Sequence, residues 1–389
     1  METTIKKACL EDYYSVKDYI TKREKQKKEN KQLKDFHFLS ANLANFLPDI
    51  PREQHEDIYL NLLYSHSLMI TEPNYPGLIN TIIYKGDTSC LNNTYDPAIF
   101  CTYHLGSYRA IIGALASKGK DFVLLVDKKT YEEQREKVID NVALIHDHFK
   151  ENAFFELEDA EQYDIAIRLI KHIKAGRSIV AYLDGNTGVG GIYKKDPQLL
   201  KLNFLKQPVL SRKGISTLSY ATKTPIIPVI SYYEKKEKAP TLAFYDLIDP
   251  NKWTQDKDSF CLSITSKLYE ILENNLIKYY DQWEGWIYVH KYLDWEIVRT
   301  RHNSDHVPKE SITECQLVFN KDKYALFKMD DACFLLNRRS YESFQLESTL
   351  FEFLDNNPVV TKEIILKNGL PEILLQRLIS KHIYLPFSK

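Results

Sequence analysis

Residues 100–109 read FCTYHLGSYR. They close an apolar run that starts at Pro97, PAIFCTYH, and Gly106 interrupts it just before the helical pattern YRAIIGALASKG at 108–119. The stretch predicts a buried strand ending at His104, a glycine turn, and then a helix. A histidine at such a junction is held by its backbone yet open from above, as a general base or an orienting group requires. A histidine merely satisfied in the turn is the bland alternative, and the stretch alone does not separate the two.

Moving outward, the same alternation recurs. INTIIYKG (79–86) and DFVLLVDKK (121–129) are short β-rich apolar runs, 131–149 and 160–176 have helical spacing, and RSIVAYLDG (177–185) returns to a strand. A short helix, the strand TPIIPVISYY, a strand over TLAFYDLID (241–249) and a helix over 256–281 follow. Strands alternating with helices imply an α/β fold, a mixed, mostly parallel sheet covered by helices, and such sheets bind ligands at the carboxyl ends of their strands. His104 and Asp184 fall at two such ends.

The flanks differ from this core. Residues 1–77 predict a helical region, charged over KREKQKKENKQLK (22–34), then broken by Pro48 and Pro51. Residues 78–297 form the α/β domain, and 298–311 lose hydrophobic patterning and read as a linker. Over 312–389 the plan is new: YALFKM and CFLLNRR predict a hairpin, SFQLESTLFEFLDNN a helix, and TKEIILKNG and PEILLQRLISKHIYL two more, which together make a small C-terminal α+β winged-helix domain.

Composition bounds the function. With 52 Lys and Arg against 53 Asp and Glu, no global basic field points to nucleic acid. Cys9, Cys90, Cys101, Cys261, Cys315 and Cys333 stand apart with no CxxC pair, which argues against a zinc site or a disulfide framework and predicts a cytoplasmic protein. No run of about 18 apolar residues is present to span a bilayer, which leaves peripheral membrane contact at most. Four of the 13 glycines (Gly185, Gly188, Gly190, Gly191) crowd into GNTGVGG, a loop after Asp184 that either covers or shapes a pocket. Lys206, Arg212 and Lys213 are cations suited to an anionic substrate group, or solvated surface charges. The aromatic group Trp283, Trp286, Tyr288, Tyr292 and Trp295 packs the core or floors a groove.

Several of these pieces arrive in a familiar order: NLANFLPDIPREQHEDI, HLGSYR, YLDGNTGVGG, FLKQPVLSRKG, TPIIPV and WEGWIYVHKY. Over about residues 38–295 the chain resembles the lysophospholipid acyltransferase superfamily, in its late lipid A acyltransferase branch. The resemblance implies an acyltransferase in which His104 deprotonates an amine or hydroxyl that attacks an acyl thioester, with a carboxylate orienting the imidazole. It implies no bound cofactor and a thioester of acyl carrier protein or coenzyme A as co-substrate. In the family's H-x4-D/E motif the acid sits five residues on, and here that residue is Arg109. A substitute acid is needed, with Asp184, Asp127 and then Glu72 as candidates. Ser107, Arg109, Lys206, Arg212 and Lys213 become substrate-binding candidates, Arg109 as a bidentate clamp on phosphate or carboxylate.

Residues 312–389 resemble the PqqD-like peptide-recognition module of ribosomal-peptide modification enzymes, which implies a precursor peptide, bound by its leader, as partner. Tyr324, Leu326, Phe327 and Leu335 are the peptide-binding candidates. The paired resemblances predict an acyltransferase acting on a ribosomally made peptide. A catalytically silent scaffold that binds a peptide or partner, and an acyltransferase for a small metabolite or lipid, are the two competing readings.

Overall fold

A computed structural model of the chain describes residues 34–92, 96–185, 199–234, 239–302, 316–367 and 371–386. The chain divides into two compact units. One is built on residues 57–285 with 291–293, the other on 34–56, 286–290 and the described part of 294–389. The boundary therefore runs differently from the expected order of consecutive domains: helix α1 (Lys34–Phe46) counts with the C-terminal unit, and α2 (His55–Thr71) lies almost wholly in the first.

In the first unit the chain runs β1 (Ile83–Lys85), β2 (Ile99–Thr102), α3 (Ala110–Ala116), β3 (Phe122–Val126), α4 (Lys128–Phe149), β4 (Phe155–Asp159), α5 (Ile165–Lys174) and β5 (Ser178–Tyr182). It continues through β6 (Leu199–Phe204), β7 (Gln207–Arg212), α6 (Gly214–Thr222), β8 (Ile226–Tyr233), β9 (Pro240–Phe244) and α7 (Lys257–Tyr279). Seven strands form one sheet in the order β1-β9-β8-β2-β5-β3-β4. All neighbours are parallel except β8 and β9, so the sheet is mixed and mostly parallel, as the alternation predicts. Both faces are covered. Phe100 joins Ile111, Leu115 and Val142 on the face under α3 and α4, while Ile99 and Cys101 join Leu169, Leu218 and Phe260 on the face under α5, α6 and α7. Side chains of a strand alternate between faces, and a strand buried on both reads as a continuous apolar run.

Two elements of this unit escape the sequence reading. FELED, at 155–159, is the edge strand β4, and its Phe155 and Glu156 are only half buried, so it lacks the run that marks the central strands. The segment carrying Lys206 and Arg212 is a two-stranded hairpin, β6 with β7. Its turn, Leu205–Lys206, has φ of 47° and 65°, the left-handed pair of a type I′ turn. Neither residue is glycine or asparagine, which hides the turn in the sequence.

The second unit continues with α8 (Trp295–His302), so the first residues of the expected linker are helical and the rest lie outside the described residues. Then come β10 (Leu317–Phe319), β11 (Tyr324–Met329), β12 (Ala332–Asn337), β13 (Ser343–Leu346), α9 (Ser348–Asn356), β14 (Val359–Val360), α10 (Lys362–Lys367), α11 (Glu372–Ser380) and β15 (Tyr384–Pro386). The first residues of the helix expected over 343–357 form β13 instead, the third strand of the sheet β11-β12-β13; β14, β10 and β15 make a second. Strand β11 feeds two cores. Tyr324 and Leu326 pack with Phe353, Leu375 and Tyr384, whereas Ala325 and Phe327 face the other way, against Phe38 of α1.

Candidate active site

Parallel pairing puts Thr102 of β2 opposite Tyr182 of β5. Each strand ends there, and two residues further on lie His104 and Asp184. His104 Nδ1 lies 2.8 Å from Asp184 Oδ1, and the His104 backbone N–H donates to Oδ2 at 2.9 Å. Trp283 Nε1–H donates to the same Oδ2 at 2.7 Å. Three donors thus hold one carboxylate, which is 2% exposed at its side chain. Nδ1 is the nitrogen turned to Asp184, and the side chain of the imidazole keeps 24% of its surface open.

The ring is fixed on its faces as well. Tyr182 stacks on it at 4.7 Å between centroids and Tyr108 meets it edge-on at the same distance. Burial pulls the imidazole pKa down, but the charge and hydrogen bond of Asp184 outweigh it, so the net pKa is raised above 6.5; Glu284 adds to the rise and Arg109 opposes it. The turn that follows needs Gly106. Its φ is +57°, and a Cβ there would stand 2.7 Å from Tyr232 Cα.

Asp184 is therefore the carboxylate at the imidazole. Asp127, the other strand-end acid, caps α4 by accepting from Thr130 N at 2.6 Å. Glu72 accepts hydrogen bonds from the Ser107 and Tyr233 hydroxyls. Ser107 itself is buried, and its carbonyl accepts from Ser231 Oγ at 2.7 Å. Arg109 sits half-buried at the start of α3 and donates to Gln134 Oε1 at 3.0 Å; among the described residues it makes no ion pair. Glu72, Ser107 and Arg109 line a pocket together with the apolar Leu78, Ile79, Ile112, Val138, Val142 and Ile145, from α3, α4 and the turns before β1.

The other expected cations lie on the β6–β7 hairpin. Lys206 is at its turn, exposed; Arg212 ends β7; Lys213 pairs with Asp258 at 3.1 Å. Lys206 precedes β7 and Arg212 ends it, and Gln207 to Arg212 alone spans five strand rises of about 3.4 Å, about 17 Å, so the two cations do not grip one small group together. The hairpin reaches the dyad through Phe204, which packs edge-on against Trp283 at 5.8 Å. That indole is both core and support for Asp184, a role the sequence does not disclose. The glycine-rich loop, apart from Gly185, lies outside the described residues.

In the second unit, Tyr324, Phe327 and Leu335 are buried and Leu326 partly so. Leu326 and Leu335 face each other across the ladder on the side of Tyr324, while Phe327 lies on the opposite face, so the four do not line one groove. Both edge strands of that sheet carry exposed residues, Lys328 and Met329 at the end of β11 and Ser343–Gln345 on β13, where Phe344 is half exposed.

A cluster with metal-ligand chemistry lies elsewhere: Glu156, Glu158 and His172, at the β4 edge. Arg177 donates to His172 Nδ1 at 3.1 Å, which leaves Nε2 to donate to Glu158 at 2.9 Å, and Arg168 holds the other Glu158 oxygen at 2.7 Å. Both ring nitrogens are engaged, and two guanidinium groups supply the positive charge, so the cluster is self-satisfied. The four described cysteines, Cys90, Cys101, Cys261 and Cys333, are free and buried. Among the described residues no helix is long and apolar enough to cross a membrane.

No protein-family profile and no curated protein matches the chain. Among solved structures the chain is similar to the 1-acyl-sn-glycerophosphate (LPA) acyltransferase PlsC of Thermotoga maritima, at 10% identity and a TM-score of 0.33, over 73% of this chain and 100% of that one.

Proposed function

We propose that the protein transfers an acyl group from a thioester to an amine or hydroxyl, with His104 as general base. The observation that carries this reading is the His104–Asp184 dyad, followed three and five positions along the chain by Ser107 and Arg109, which line an apolar pocket. Its chemistry follows from the geometry. His104 Nε2 takes the proton of the attacking group as that group adds to the thioester carbonyl, and Asp184 fixes the tautomer and stabilises the imidazolium that forms. The apolar pocket accommodates the acyl chain, and the guanidinium of Arg109, which among the described residues donates to a neutral glutamine, suits an anionic group of donor or acceptor.

In the same reading the donor is a thioester of acyl carrier protein or coenzyme A, and the acceptor is a ribosomally made peptide whose leader is taken up by a winged-helix-like C-terminal unit. What supports the peptide is the β13 edge, since an open strand edge offers main-chain hydrogen bonds to an extended segment. Incubating the full chain with an acyl-coenzyme A series and candidate acceptor peptides, while following thiol release and peptide mass, tests both halves. Acylation by the wild type and its loss in His104→Ala is the expected result. Thiol release that persists in His104→Ala, or none with any donor, overturns the reading.

A further inference from the structure

Besides the dyad and the His172–Glu158 pair, the first unit holds another imidazole–carboxylate pair. His66, on α2, places Nδ1 2.7 Å from Glu284 Oε1. The imidazole is half exposed, at 48%, while the carboxylate is mostly covered, at 17%. Among the described residues Nε2 of His66 has no hydrogen-bond partner. Glu284 is tied directly to the dyad, because its backbone N–H donates to the carbonyl of His104 at 3.0 Å.

The tie is part of a short antiparallel contact between 104–106 and 282–284. Gly106 N donates to Gln282 O at 3.1 Å, Leu105 bridges to Trp283, and Glu284 N reaches His104 O. Of the two adjacent side chains, Trp283 holds Asp184 and Glu284 holds His66. The electrostatics are shared as well. The hydrogen bond and charge of Glu284 raise the His66 pKa above 6.5 against the pull of burial, Arg109 and His104 lower it, and His104 itself feels both Glu284 and Arg109. Two imidazoles, each with Nδ1 on a carboxylate and Nε2 directed away from it, thus stand in one electrostatic neighbourhood.

We infer that His66 is the second acid–base residue of this site, donating the Nε2 proton of its imidazolium to the departing heteroatom of the donor while His104 receives the proton of the attacking one. The inference rests on the acyl-transfer reading. In the forward step the acceptor heteroatom loses its proton to His104 and bonds to the carbonyl carbon. The carbon–sulfur bond then breaks, its electron pair goes to sulfur, and the His66 proton joins it as thiol. His104 then returns its proton to His66 through solvent, which restores both charges. A purely structural role, pinning α2 to the 282–284 segment, predicts a different pattern of losses.

The discriminating experiment uses the full chain and two thioesters of one acyl chain, an alkyl thioester and a nitrothiophenyl thioester. An alkyl thiolate gains from protonation as it leaves; a nitrothiophenolate leaves without it. His66→Gln is expected to lose about 10²- to 10⁴-fold in kcat with the alkyl donor and less than about tenfold with the aryl donor. Equal losses on both donors, or none on either, overturn the inference. A wild type that turns over neither donor sinks the acyl-transfer reading and this step with it, and that failure shows in the unmodified protein. Histidine-resolved NMR titration supplies a test free of substrate: Glu284→Gln should lower the His66 pKa, and His66→Gln should move the His104 titration. Curves that stay in place overturn the pairing.

Discussion

Thr102 and Tyr182 face each other across parallel strands, and His104 and Asp184 are that register carried two residues past the sheet. The dyad is thus a product of strand pairing, not of sequence proximity. Replacing Asp184 by Asn keeps the shape and removes the charge that stabilises the imidazolium. Turnover is expected to fall by about 10³- to 10⁴-fold with little change in melting temperature, as steady-state kinetics and calorimetry would report.

The acid limb of the pH–rate profile should report His104. Its pKa is raised, so the neutral, basic form is complete only above the ordinary value of 6.5, and kcat/KM should climb through a midpoint on the alkaline side of 6.5. By linkage, the same shift stabilises the fold at pH below 6.5, and that contribution is lost as pH rises through the folded-state pKa. Asp184→Asn should move the limb to lower pH, and Arg109→Gln to higher, because the guanidinium opposes protonation.

Arg109→Gln separates binding from chemistry. If the guanidinium holds an anionic group of substrate, KM for that substrate should rise about 10- to 100-fold, equivalent to about 1.4–2.8 kcal/mol, while kcat changes far less. An acyl-coenzyme A titration against a neutral short thioester would show whether the loss follows the charge.

Ala110, half-buried at the start of α3, lines the pocket. Ala110→Leu should shorten the acyl chain preferred, with about a fourfold change in kcat/KM for each methylene excluded, the equivalent of about 0.8 kcal/mol. Competition between donors of graded chain length measures it.

Gly106→Ala tests the turn. A Cβ at φ +57° and 2.7 Å from Tyr232 Cα forces the backbone to move, so a loss of about 1–3 kcal/mol in denaturant unfolding is expected, together with a drop in activity as His104 shifts.

The central strands are legible because burial on both faces leaves a continuous apolar run, as at PAIFCTYH, and because each run ends in a glycine or a charge. His104 and Asp184 stand out for the same reason: polar residues just past such runs must lie at the carboxyl edge. What stays hidden depends on contacts made across the fold. FELED is an edge strand whose buried residues include the acidic Glu158 and Asp159, Leu205–Lys206 adopts a glycine-like turn without glycine, and β13 reads as the start of a helix. Glu284 and His66 are more than two hundred positions apart, and no spacing rule connects them. Arg109, which at first sight deprives His104 of its acid, leaves the imidazole fully supported because Asp184 reaches it from the next strand.

The antiparallel contact between 104–106 and 282–284 makes the two imidazoles share a point of failure. Neighbouring side chains of that segment serve different histidines, so inserting or deleting one residue near Gln282 would swing Trp283 away from Asp184 and Glu284 away from His66 at once. Chains descended from a common ancestor of this one should tolerate length changes in the hairpin far better than at that crossing.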